Sequence, residues 1–148
     1  MKKLLLLLFA MLFCCYCATT GTQEESIYGQ TRILQAEYEK VFQATLDYLP
    51  ERGYTIKKDD WESGVIETHY QAGAGVATGF TGDKRAQITC KLIKIDQNQT
   101  KLTLEFFSEI RDPHSGWQYV APEYQTARVI YDRFFEAITA RAQGRKIE

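Results

Sequence analysis

Residues 86–110 read AQITCKLIKIDQNQTKLTLEFFSEI, and the period of this stretch decides the fold. Leu102, Leu104 and Phe106 alternate with Thr103 and Glu105, while Ile88, Cys90 and Leu92 fall on one face of the segment before them. Successive side chains of a strand point to opposite faces, so this alternation predicts a sheet with one buried and one wet face. Asp96-Gln97-Asn98-Gln99 supplies the turn, giving a hairpin of Ala86–Ile95 with Thr100–Ile110. Cys90 is the one cysteine outside the first seventeen residues. Its position beside Ile88 and Leu92 predicts a small buried packing group.

Upstream, the pattern changes to a helix. Tyr38, Val41, Phe42, Thr45, Leu46 and Leu49 recur at the spacing of one helical stripe, with Pro50 and Gly53 as stop signals. A short strand, Thr31–Ala36, precedes this helix. A smaller hairpin follows it, with Tyr54–Ile56 as one strand, Asp59–Gly64 as the turn and Val65–Tyr70 as the return. Gln71–Asp83 is a Gly-rich loop, and Arg111–Ala121 is a second loop carrying Trp117 and Tyr119. A last helix is expected from near Pro122, with the stripe Ala127, Tyr131, Phe134 and Ile138, widened by Ile130 and Phe135, and Gly144 as its end. The order β-α-ββ-ββ-α predicts an α+β domain over 31–148, a two-layer antiparallel sheet of four to five strands packed by two helices.

The first seventeen residues, MKKLLLLLFAMLFCCYC, belong to another class. Lys2 and Lys3 precede an apolar run from Leu4 to Phe13, about ten residues, which is a signal-peptide length and well short of the roughly 20 needed to span a bilayer. This segment resembles bacterial lipoprotein signal peptides, in which an apolar run ends at a cysteine that receives a diacylglyceryl thioether. That resemblance implies a signal over 1–16, a lipidated Cys17 and a polar tether over 17–30. Cys15 is the alternative, with Leu12 at the usual position before it. Cys17 is favoured by the small, polar residues that follow, Ala18-Thr19-Thr20-Gly21, although Tyr16 departs from the small residue normally found before the lipidated cysteine. Several acyl chains, at about 0.8 kcal/mol per buried methylene, hold a protein on a membrane where one does not.

Charge excludes one class of partner. With Lys2 and Lys3 removed, 16 basic residues face 19 acidic ones, so no basic face for nucleic acid is expected. Catalytic patterns are also missing. His69 and His114 have no metal-ligand spacing around them, so neither a metal nor a cofactor is expected. Asp59, Asp60 and Glu62 read as turn residues. Ser26, Ser63, Ser108 and Ser115 lie in no nucleophile motif. The loop from Ala72 to Lys84 lacks the Gly-Lys-Ser/Thr ending of a phosphate loop. What remains is surface: Val76 and Phe80 at the tip of the Gly-rich loop, and Trp117 and Tyr119 in the later loop, as candidate partner-binding residues.

The run Tyr38-x-x-Val41-Phe42-x-Ala44-x-x-x-Tyr48-Leu49, then Gly53-Tyr54-x-Ile56, then Asp60-x-x-x-Gly64-x-Ile66-x-Thr68, resembles the helix-grip domains of BamC-type outer-membrane assembly lipoproteins and of several uncharacterised lipoprotein families. This chain departs from them in having one domain and in carrying Pro50 at the helix end. The resemblance implies a non-enzymatic envelope role, and the leading expectation is a lipid-anchored binding or assembly domain with an envelope protein as partner. An alternative is a small-molecule or lipid-binding pocket between the sheet and the last helix, among Tyr131, Phe134, Phe135, Leu104 and Phe106. Ala18 after Cys17 is not the Asp that retains many lipoproteins in the inner membrane, so the expected site is the outer membrane, facing the periplasm. Replacing the anchor, Cys17→Ala, is expected to move the protein into the soluble periplasmic fraction. Retention on the membrane, with release by Cys15→Ala instead, would transfer the assignment to Cys15.

Overall fold

The computed structural model describes residues 29–72, 84–121 and 124–145. The chain runs β1 (Gly29–Leu34), α1 (Tyr38–Glu51), β2 (Ile56–Asp60), β3 (Val65–Thr68), β4 (Gln71–Ala72), β5 (Lys84–Lys94), β6 (Thr100–Asp112), β7 (Gly116–Tyr119) and α2 (Tyr124–Ala142). One antiparallel sheet has the order β1-β6-β5-β3-β2, with β4 added to β5 and β7 added to β6. The class is α+β, as the alternation predicts, but the sheet has seven strands rather than four or five. The additional two are short: Gln71–Ala72 opens the stretch expected to be a Gly-rich loop, and Gly116–Tyr119 lies in the later one.

The burial pattern of the long hairpin follows its sequence. Ile88, Cys90 and Leu92 on β5, and Leu102, Leu104 and Phe106 on β6, are buried on one face. They share a single cluster with Val41, Phe42, Tyr48 and Leu49 of α1 and Tyr131, Phe134, Phe135 and Ile138 of α2. Both helices therefore cover the same side of the sheet. The other side carries Glu67, Thr89, Lys91, Thr103 and Glu105, and is called the open face below. There Lys91 Nζ donates to Glu105 at 2.8 Å, and Lys57 Nζ and Gln87 Nε2 both donate to Glu67 at 2.8 Å. Such exposed pairs each contribute little, and they keep the face wet.

The helix ends stop where the glycines were expected to stop them. Gly53 has φ +83°, its N–H donates to Pro50 O at 2.9 Å, and Tyr54 N–H reaches back to Leu49 O at 3.1 Å. That pair of bonds is the Schellman arrangement, and it repeats at α2 through Gly144 and Arg145. Pro50 lies inside the last turn of α1, where its missing N–H removes only the bond to Leu46.

The strand before Gly64 differs from expectation. Tyr54 is core rather than strand, and β2 runs through Asp59 and Asp60, which had been read as turn. The sequence Ile-Lys-Lys-Asp-Asp has no apolar alternation because β2 is an outer strand, and it is bulged at Lys57. Charged side chains and a bulge on an edge discourage further pairing. Asp60 still serves the turn: its Oδ1 accepts the Ser63 N–H at 3.0 Å, and that bond chiefly holds its carboxyl down at about 2.

Gly64 packs directly against the backbone of β5. It has φ +69°, its carbonyl accepts Leu92 N–H at 2.7 Å, and a Cβ there would lie 2.2 Å from Leu92 O. Gly64→Ala is expected to cost about 3 kcal/mol or more, from the left-handed backbone together with displacement of β5. Gly53→Ala, with φ +83° and nothing within 4 Å of the new Cβ, should cost only about 1 kcal/mol, both losses being read by urea titration. Equal losses would mean that contact with β5 is not what Gly64 protects.

Candidate functional site

The open face changes character at one end, and a β-bulge is the cause. Glu67 opposes Thr89 on β5, whereas Gln71 opposes Ala86, so four steps along one strand span three on the other. At the break the Thr68 side chain takes over from the backbone ladder, its Oγ1 accepting Ile88 N–H at 2.9 Å. Gln87 Nε2 closes the same gap by donating to Thr68 O at 2.9 Å. Without the extra residue, Tyr70 would share the inner face with Ile66 and Thr68. With it, Tyr70 turns to the open face, which is how bulges re-aim side chains.

There Tyr70 meets Arg85. The Arg85 guanidinium lies 4.5 Å from the centre of the Tyr70 ring and 4.2 Å from that of Trp117. Its Nε donates to Glu109 at 2.6 Å. β5 supplies Arg85, β6 supplies Glu109, β7 supplies Trp117, and the bulge supplies Tyr70. Directly across the strands, Ala72, Arg85, Glu109 and Tyr119 form one row. A guanidinium between two rings with a carboxylate beside it is a fixed platform, each cation–ring contact contributing about 0.5–1 kcal/mol at such a partly exposed site. Burial, then the Glu109 charge and its hydrogen bond, push the Tyr70 phenol above its ordinary value, while Arg85 pulls it down.

Beside the platform, Tyr119 and Val120 are 44% and 42% exposed. Trp117 and Tyr119, the two candidate partner-binding residues in this region, are thus on a strand rather than in a loop, and on the same face. Arg85, Tyr70 and Glu109 were missed in the sequence. The available signal was the two-residue spacing of Trp117 and Tyr119 after Gly116, itself a strand pattern. Val76, Phe80, Cys15 and Cys17 lie outside the described residues.

The other candidates have ordinary tasks. Asp112 accepts three bonds within its own turn, from Ser115 Oγ at 2.7 Å and from the Ser115 and His114 N–H groups at 2.8 Å each. These bonds, led by that of the Ser115 side chain, hold its carboxyl below the usual range. His69 and His114 are exposed, and among the described residues no group of His, Cys, Asp or Glu could hold a metal. Cys90 is fully buried, and burial pushes its thiol far up. Tyr131, Phe134, Phe106 and Tyr48 pack ring against ring, with centroids 4.9–5.1 Å apart. Among the described residues, no helix is long and apolar enough to cross a membrane.

No protein-family model matches the chain, and no curated protein is significantly similar to it.

The platform has a titration signature. Tyr70 is expected to ionise above the ordinary 10.0, with Glu109→Gln lowering its midpoint and Arg85→Ala raising it, followed by carbon NMR of the ring. The fold holds the phenolic proton more tightly than the unfolded chain does. The associated stability is therefore complete below pH 10.0 and is lost as pH rises through the folded value. A midpoint unmoved by both substitutions would remove Glu109 and Arg85 from contact with Tyr70.

Proposed function

We propose that this chain is a lipid-anchored protein of the bacterial envelope whose folded part is a non-catalytic binding or assembly domain. In this reading the anchor is Cys17, the membrane is the outer one, and the domain faces the periplasm. The observation that carries the binding role is the platform of Tyr70, Arg85, Glu109 and Trp117, with Tyr119 exposed beside it on the same face. Aromatic and arginine side chains dominate binding hot spots, because they present large contact area at a small cost in rotamer freedom. Here the cost is lower still, since Arg85 is already held on three sides. The partner is a protein of the envelope, engaged through the open face.

A photo-crosslinking side chain placed at Tyr119 in intact envelopes tests this reading, with the same group at Gln43 on the exposed side of α1 as a control. One discrete adduct from position 119, none from position 43, and loss of the adduct on adding Trp117→Ala are expected. Equal labelling from both positions, or an adduct indifferent to Trp117→Ala, would remove the platform as the docking surface.

A further inference from the structure

The helix layer carries its own concentration of charge. A groove of about 520 Å³ runs over α2 and is lined by Arg32, Arg52, Arg133 and Arg145, with Ala137 and Ala140 among its apolar lining. The chain has eight arginines and ten lysines, yet half of the arginines converge here and, among the described residues, no lysine does. Glu136 is the one acidic residue of that lining. In a chain of net charge -1, composition alone does not produce such a cluster.

The four arginines differ in how far they are neutralised. Arg32 is paired with Asp132 and lies 4.7 Å from the centre of the Phe135 ring, which fixes it as one wall. Arg52 donates from Nε to the Tyr48 hydroxyl at 2.9 Å, and Arg145 donates from Nε to Gln143 Oε1 at 3.1 Å. Those hydrogen-bond partners are neutral and orient the guanidinium, while the Glu51 carboxylate, bonded to Arg141, acts on Arg52 only through space. Arg133 is exposed and makes no hydrogen bond or ion pair among the described residues. A cation after each helix is favoured by the helix dipole, which accounts for Arg52 and Arg145 taken singly. It does not account for Arg133 in the middle of α2 or for the convergence of all four.

We propose that this groove binds a phosphate ester, held by Arg52, Arg133 and Arg145 against the wall formed by Arg32. The planar guanidinium fork matches phosphate oxygens two at a time, which a lysine ammonium does not, and the cations here are all arginine. The ester can come from a phospholipid headgroup or from a soluble metabolite. This site lies on the helix layer, on the other side of the sheet from the platform, so it stands independently of any protein partner there.

The test uses the full chain in phosphatidylcholine nanodiscs, with nitrogen NMR of the arginine Nε groups. One arm titrates glycerol 3-phosphate, and the other replaces part of the lipid with phosphatidylglycerol. Saturable shifts at Arg52, Arg133 and Arg145 are expected in one arm or both. A response confined to the lipid arm identifies the headgroup, one confined to glycerol 3-phosphate a soluble ester, and a response in both the phosphate ester that the two share. Arg133→Glu, at a side chain with no hydrogen bond or ion pair among the described residues, should weaken that response about tenfold, the loss of one charge-assisted hydrogen bond, while leaving the melting temperature unchanged. No saturable shift in either arm, or a response that Arg133→Glu leaves intact, would overturn the site.

Discussion

The β5–β6 ladder is the constraint on which the other elements depend. It runs without a break in register from Lys84 opposite Ile110 to Lys94 opposite Thr100. Its turn is closed by Ile95 N–H to Gln99 O at 3.0 Å and by Asn98 N–H to the Asp96 carboxylate at 2.7 Å. Because side chains alternate, this single register decides which residues face the helices and which face away. A slip of β6 by one residue would send Leu104 to water and bring Glu105 into the core while Cys90 stayed inside. The other strands then attach along the two outer edges of this pair, β3 and β4 on β5, β1 and β7 on β6.

Attachment in pieces makes the two ends of the sheet different. At the end near the turn, β1, β6, β5, β3 and β2 lie side by side, and the open face is a set of ion pairs and hydroxyls. At the far end, β3 has given way through the bulge to β4, and β7 has replaced β1 on β6. The same parity rule that fills the core places Arg85, Glu109, Trp117 and Tyr119 together on the open face. Only Tyr70 needs the bulge to join them. Thr68 is what makes the bulge tolerable, because its hydroxyl satisfies the buried Ile88 N–H that the departing strand leaves.

These differences explain what could be read from the sequence. Leu102, Leu104 and Phe106, and the stripe from Tyr38 to Leu49, were legible because local periodicity and burial coincide there. Gly53 and Gly144 were legible as stops because each terminates its helix through bonds a few residues back. β2 was not, since an edge strand of Lys and Asp carries no alternation to detect. The platform was half legible. Trp117 and Tyr119 stand out as aromatics, but Tyr70, Arg85 and Glu109 reach them only through a register shift and strand pairings distant in sequence. The arginine groove was hidden for the same reason, since Arg32, Arg52, Arg133 and Arg145 converge from β1, the end of α1, and α2 with its C-terminal cap.

The point of entry of the chain bears on how the two surfaces could share one anchor. Under the proposed lipidation at Cys17, the segment up to Gly29 joins the domain at the start of β1, on an edge of the sheet rather than on either face. A segment of that length reaches at most about 40 Å when fully extended. In that reading the domain is confined near the bilayer. If the arginine groove engages headgroups of the same membrane, the helix layer faces the lipid. The open face, with Tyr119, then points into the periplasm toward a partner. If the ester is soluble, that orientation is lost, and the platform alone determines how the domain is held. The chemistry of the groove would therefore fix the direction in which the binding surface points.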